Sequence, residues 1–143
     1  MADEEVFVDE EMEPDPELNR ITNGIIGAAI EVHRELGPGQ LESAYEEAMA
    51  DEMSLRGIRF QRQFEIELLY KGQLVGKGRL DFLVEGKVIL DLKSVPQLAP
   101  IHTSQMVSYL SITGYPLGLV LNFNVPALRH GIKRIAGRPR PRR

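Results

Sequence analysis

Val88-Ile89-Leu90-Asp91-Leu92-Lys93 decides how this chain reads, together with Leu80-Asp81-Phe82-Leu83-Val84 just before it. Both are short apolar runs of the kind that form buried strands, and both are interrupted by an acid. Side chains alternate across a strand, so Asp91 and Lys93 share one face while Leu90 and Leu92 take the other. An ion in such a strand costs several kcal/mol unless it is paired, solvated or bound to a metal. Glu85-Gly86-Lys87 reads as a turn between the two runs, and a short hairpin can bring Asp81 beside Asp91. Two neighbouring carboxylates repel unless a cation lies between them, and a hard divalent ion such as Mg2+ meets that need. The alternative is a structural Asp-Lys ion pair on an edge strand.

Upstream, Phe60 to Tyr70 alternates apolar and polar residues, a half-exposed strand that Lys71-Gly72-Gln73 turns back into a return strand from Leu74 to Val84. Before it the period is helical. Ile21, Ile25, Ile26, Ala29, Ile30 and Val32 place one apolar stripe on a helix from Leu18 to about Leu36, ended by Gly37-Pro38-Gly39. A second helix runs from about Leu41 to Arg56 and stops at Gly57. Downstream, a helix from about Ile101 to Thr113 follows Pro96 and Pro100, and Leu117 to Asn122 is a last apolar strand, with a short helix expected near Ala127 to Ile135. The order is α-α-β-β-β-α-β, an α/β fold with a mixed central sheet flanked by helices.

Length and composition suit one domain with tails. The chain has 143 residues, 43% of them hydrophobic, and no run approaches the roughly 18 consecutive apolar residues of a membrane helix. The acidic start lacks the basic region and apolar stretch of a signal peptide, so a cytoplasmic location is expected and no membrane partner. With no cysteine, and with His33, His102 and His130 scattered, thiolate and multi-histidine metal sites are excluded and any metal is held by oxygen. Residues 1–17 carry nine acids and no base, whereas the rest holds 12 acids and all 17 bases. We therefore expect a disordered acidic tail over 1–17, a domain over 18–135 and a basic Pro/Arg tail over 136–143. Such tails serve solubility alone, or else the basic end touches phosphates while the acidic end competes for the same surface.

Four further positions join the two aspartates. Glu42 and Tyr45 stand three apart at the start of the second helix, behind Gly39, and share a face; a first-turn glutamate is also simply a favourable partner of the helix dipole. Gln105 and Tyr109, four apart, share a face of the third long helix, where they are either surface decoration or contacts to a phosphate or base. Glu46 and Glu47 are expected to continue toward solvent. The series Gly39-x-x-Glu42-x-x-Tyr45, Asp81, Asp91-x-Lys93, Gln105-x-x-x-Tyr109 resembles the bacterial GxxExxY protein family, a branch of the PD-(D/E)XK nuclease superfamily. The similarity runs from Ile21 to about Ile135 and includes Val32-His33-Arg34-Glu35-Leu36-Gly37-Pro38-Gly39 and Leu121-Asn122-Phe123-Asn124-Val125-Pro126. Leu80 stands before Asp81 where the family pattern has proline, and Asp91 where glutamate is common.

The resemblance implies a PD-(D/E)XK, restriction-endonuclease-like core and a metal-dependent nuclease, with DNA the expected substrate ahead of RNA. RNA stays open as the less favoured substrate. The resemblance also implies that Asp81, Asp91 and the backbone carbonyl of Leu92 bind Mg2+ or Mn2+, and that Glu42 ligates the metal directly or through water. It gives Lys93 the task of orienting the attacking water and stabilising charge in the transition state. Gln105, Tyr109, Tyr45 and His33 would support the site or contact nucleic acid; His33 is equally explained as a helix-end histidine favoured by the dipole. A homodimer would let so small a nuclease enclose a duplex, and a protein partner could take the acidic tail. The competing reading is a catalytically silent nuclease fold that binds nucleic acid or a protein. A third, a plain α/β protein with surface ion pairs, explains each motif but not their joint order.

Overall fold

The computed structural model describes residues 15–137 and the backbone of Val6–Phe7. Helix α1 spans Pro16–Leu36, two residues earlier than the periodicity indicates, because Asp15 caps it. The Asp15 carboxylate accepts from the N–H groups of Glu17 (2.9 Å) and Leu18 (3.2 Å), and Pro16 occupies the first helical position, where a missing N–H costs nothing. Helix α2 is Glu42–Leu55. Two strands follow, β2 (Phe60–Tyr70) and β3 (Gln73–Val84), then β4 (Val88–Lys93), helix α3 (Pro100–Thr113) and β5 (Leu117–Asn122). Lys71 and Gly72 both take positive φ, 51° and 81°, the conformation that a tight two-residue hairpin turn requires.

The segment expected as a short helix near Ala127 to Ile135 is instead a 3-10 turn, Leu128–Gly131, followed by a strand, β6 (Ile132–Ala136). Leu128, Ile132 and Ile135 fall at helical spacing, which is what misleads. Ile132 and Leu128 pack toward α1 and α2, whereas Ile135 enters the core on the opposite side of the sheet, as odd spacing in a strand demands. Val6–Phe7 form a short strand, β1, paired in parallel with Arg134 and Ile135 of β6. The acidic segment therefore contributes a strand, and its last residues, Asp15 to Glu17, begin the domain. The remainder of 1–17, and residues 138–143 of the basic tail, lie outside the described residues.

The sheet order is β1-β6-β5-β4-β3-β2, with β4 and β5 parallel at its centre and joined through α3. Helices α1 and α2 cover one face. Ile25, Ala28, Tyr45, Met49 and Met53 meet Phe82, Val88, Leu90, Leu92, Leu119 and Leu121 there. Helix α3 covers the other face with Met106 and Leu110 against Leu83, Ile89, Val120 and Ile135. Each of the larger aliphatic and Phe side chains among these contributes roughly 1.5–3 kcal/mol by leaving water. No described helix is long and apolar enough to cross a membrane.

The hairpin of β2 and β3 bends at its middle. Arg62 pairs with Phe82 and Phe64 with Leu80, while Gln63 and Asp81 between them drop out of the ladder. Gln63 adopts a left-handed φ of 51°. Across that step the strand faces exchange, since Phe82 and Val84 join the core under α1 and α2 while Leu80 joins the core under α3. Asp81 occupies this bend.

Candidate active site

The ladder between β3 and β4 ends at Phe82 and Leu90. Beyond it the carboxylate of Asp81 replaces a backbone partner, accepting the N–H of Leu92 at 2.7 Å. This bond holds Asp81 beside Asp91, so the two acids oppose each other's ionisation. Burial first, then hydrogen bonding and repulsion from Asp91, with a smaller push from Glu46, raise the Asp81 carboxyl to about 8; the Leu92 N–H opposes the rise. Lys93 completes the group, its Nζ lying 3.2 Å from Asp91 Oδ2 with both side chains mostly buried. Burial works against its charge, but Asp91, Glu42 and Asp81 together outweigh it and raise the Lys93 pKa.

The surrounding loops are tied down. Lys93 pairs with Asn122 across the two parallel strands, so the loops that follow them leave from the same end of the sheet. The side chain of buried Asn122 accepts from the N–H groups of Val95 (3.1 Å) and Asn124 (3.2 Å) and donates to the Val95 carbonyl at 3.0 Å. Ser94 donates to the Gln40 carbonyl at 2.7 Å, joining the end of β4 to the entry of α2. Asn122 and Ser94 did not emerge as site residues from the sequence, although Asn122 stands at the end of an apolar strand where a polar residue needs a reason.

Of the expected residues, Asp81, Asp91 and Lys93 come together. Glu42 is exposed, close enough to act on the charge of Lys93. The three carboxylates of Glu42, Asp81 and Asp91 do not converge: among the described residues no group of three or more acids or histidines is arranged to hold a metal ion. The donors placed side by side are the Asp81 and Asp91 carboxylates, oxygen ligands of the sort a hard divalent ion takes in ones and twos, with water completing its shell.

Tyr45 is fully buried, so it cannot touch a substrate. Its ring stacks on Phe123 at 4.4 Å, and its hydroxyl donates to the Gly37 carbonyl and accepts the Gln40 N–H, fixing the Gly37-Pro38-Gly39 entry to α2. His33 is likewise occupied, with Nε2 donating to the Val125 carbonyl at 2.8 Å. Gln105 is exposed on α3, and among the described residues no hydrogen bond joins it or Tyr109 to Asp81, Asp91 or Lys93. Tyr109 instead packs over Gly78 in β3. Glu46 does not continue to solvent: it is mostly buried, paired with Arg62 at 3.0 Å and accepting from Gln63 at 2.9 Å. Arg62 also binds Glu47 at 2.8 Å and lies over the Phe82 ring. The positive φ of Gln63, across from half-buried Asp81, marks this arrangement and is visible only in the backbone.

Neither the curated proteins nor the solved structures compared with this chain include a match to it. A family model of the PD-(D/E)XK nuclease superfamily matches residues 19–135, from the first turns of α1 through β6, and encloses Asp81, Asp91 and Lys93. On that match, which covers most of its length, the chain belongs to the PD-(D/E)XK nuclease superfamily.

Proposed function

We propose that this protein is a divalent-cation-dependent nuclease that hydrolyses phosphodiester bonds of DNA, of the GxxExxY branch of its superfamily. The observation that carries the reading is the Asp81 carboxylate held on the Leu92 N–H, beside Asp91, with Lys93 paired to Asp91 from two residues further along the same strand face. A purely structural ion pair needs one acid for one base. Here a second acid is half-buried beside the first, where each disfavours the other's charge, which is reasonable where a cation is meant to enter. Asp81 and Asp91 would hold Mg2+ or Mn2+, with the Leu92 carbonyl and Glu42, through water, as further oxygen donors. When bound, the ion supplies Lewis-acid activation and neutralises charge on the phosphate. Lys93, kept cationic by Asp91, would orient the attacking water and stabilise the negative charge that grows on the phosphoryl oxygens. Tyr45 and Asn122 act indirectly by fixing the loops beside the site.

The test is cleavage of labelled linear and circular DNA, with an RNA of matched sequence alongside, in Mg2+ or Mn2+ and in chelator. DNA hydrolysis that needs the ion and disappears in Asp81→Asn and Asp91→Asn is the expected result. Wild-type protein that cuts nothing with either ion would leave the silent binding module as the better description.

A further inference from the structure

The β2–β3 hairpin outruns the sheet that carries it. Strand β3 pairs with β4 only from Phe82 to Val84, so beyond the bend the two strands have only each other. A two-stranded ribbon is marginal alone, but the base of this one is braced. Ile66 is buried in the core under α3, and Tyr109 lies against Gly78 so closely that a Cβ there would meet its ring at 3.1 Å. The tip is different. Leu69, Tyr70, Leu74 and Val75 are 60%, 61%, 52% and 64% exposed.

We propose that this tip grips duplex DNA, entering the major groove beyond the point of cleavage. The proposal rests on the nuclease reading and adds the contact that would hold a long substrate. Charge favours it at the outer end: from Leu68 to Gly76 the chain carries Lys71 and no acid, and further in Lys77 and Arg79 stand across from Glu67 and Glu65. Lys77 and Arg79 reach Glu65 only at 3.9 Å, in exposed pairs that a phosphate can displace. Lys71 lies 5.3 Å from the centre of the Tyr70 ring, presenting aromatic surface and charge together. Shape favours it too. Leu69 and Tyr70 are consecutive and point to opposite faces of the ribbon. A flat protein partner would cover one of those faces, whereas a groove has two walls, and a two-stranded ribbon fits the major groove of B-DNA. Leu74 stands seven residues from Asp81 along β3, roughly 23 Å at about 3.3 Å per residue. That span corresponds to about seven base-pair steps of about 3.4 Å.

The experiment uses the full chain carrying Asp81→Asn, to prevent cutting, and fluorescence anisotropy with two duplexes. One is roughly 6 base pairs long, too short to reach the tip from the carboxylate site, and the other roughly 20. The longer duplex should bind more tightly, and Tyr70→Ser with Leu74→Ser should weaken it by on the order of tenfold while leaving the shorter one unchanged. Equal affinity for both lengths, or an unaffected variant, overturns the proposal. So does a dimer in light scattering that the tip variant dissolves, which would assign the tip to a second copy of the chain. Cleavage is scored separately. Cutting without a tip effect sinks the grip and spares the nuclease; tip-dependent binding by a wild-type protein that never cuts does the reverse.

Discussion

Asp81 sets a pH dependence on the folded protein itself. Its carboxyl is raised to about 8 in the native state by burial and then by Asp91, and returns toward 3.8 when the chain unfolds. Between those values the native protein holds the extra proton, so the stability tied to Asp81 is lost as pH rises, by at most about 1.4 kcal/mol per unit. Metal-free protein should melt at a lower temperature at about pH 9 than at about pH 5. Asp81→Asn, which still accepts the Leu92 N–H but cannot ionise, should flatten that profile and be the more stable protein at the alkaline end. A profile parallel to wild type would place the proton elsewhere. Lys93→Ala separates holding from catalysis, since it removes no oxygen donor: Mn2+ affinity, followed by electron paramagnetic resonance, should stay near normal while turnover falls by at least about a hundredfold. Loss of Mn2+ binding in that variant would reduce Lys93 to a structural counter-ion. Asp81, Asp91 and Lys93 were legible in the sequence because strand alternation is simple arithmetic. Glu46 was not, because Glu42 and Glu46 share a helix face and only Arg62 and Gln63, from a distant strand, turn one of them inward.

Most elements could be read to within two residues because their signals are local: Gly37 and Gly57 after helices, Lys71-Gly72 in a turn, Pro100 at the start of α3. The last segment could not. Its apolar spacing suits a helix, and what imposes the strand is the free edge of β5 together with a close backbone approach. A Cβ on Gly131 would lie 2.1 Å from the Asn122 carbonyl oxygen, and Asn122 is itself fixed by Val95 and Asn124. Gly131→Ala must therefore shift backbone on both sides and should destabilise the domain by roughly 3 kcal/mol. Gly118→Ala is the useful contrast. Its Cβ would fall 2.4 Å from Met106 Sδ, but an unbranched thioether can swing aside, and the cost should stay near about 1 kcal/mol. Urea midpoints of the two variants measure the difference; equal losses would mean that Met106 is held as firmly as the Asn122 backbone. The bend at Gln63 and Asp81 was invisible for a related reason: alternation read along one strand assumes that its faces never exchange.

At the scale of the molecule, charge is divided along the chain, nine acids and no base in residues 1–17 against an excess of bases in the remainder. The structure adds a point of attachment, since Val6–Phe7 pair with Arg134 and Ile135 at the edge of the sheet. A polyanion tethered in this way stands at an effective concentration on the order of millimolar beside the same basic surfaces that a nucleic acid would use. Neutralising it should therefore tighten DNA binding. The cut cannot be made at residue 17, because Asp15 caps α1 and Pro16 begins it; deletion of residues 1–14 removes seven of the nine acids and spares the cap. Deletion also removes β1 and bares the edge of β6, so a second variant, with Glu4, Glu5, Asp9 and Glu10 changed to their amides, keeps Val6–Phe7 and tests charge alone. Both proteins, on an Asp81→Asn background, should bind a labelled duplex more tightly than the parent. The gain should be greatest at low salt and fade as the Debye length shrinks to about 8 Å near physiological ionic strength. Removing residues 138–143, with their four arginines, should act in the opposite sense and lower the salt slope by up to about four counterions. If the amide variant matches its parent at every salt concentration while the deletion binds more tightly, the strand blocks the surface and the charge does not. If neither differs from the parent, the acidic segment does not compete with DNA, and a protein partner becomes the occupant to seek.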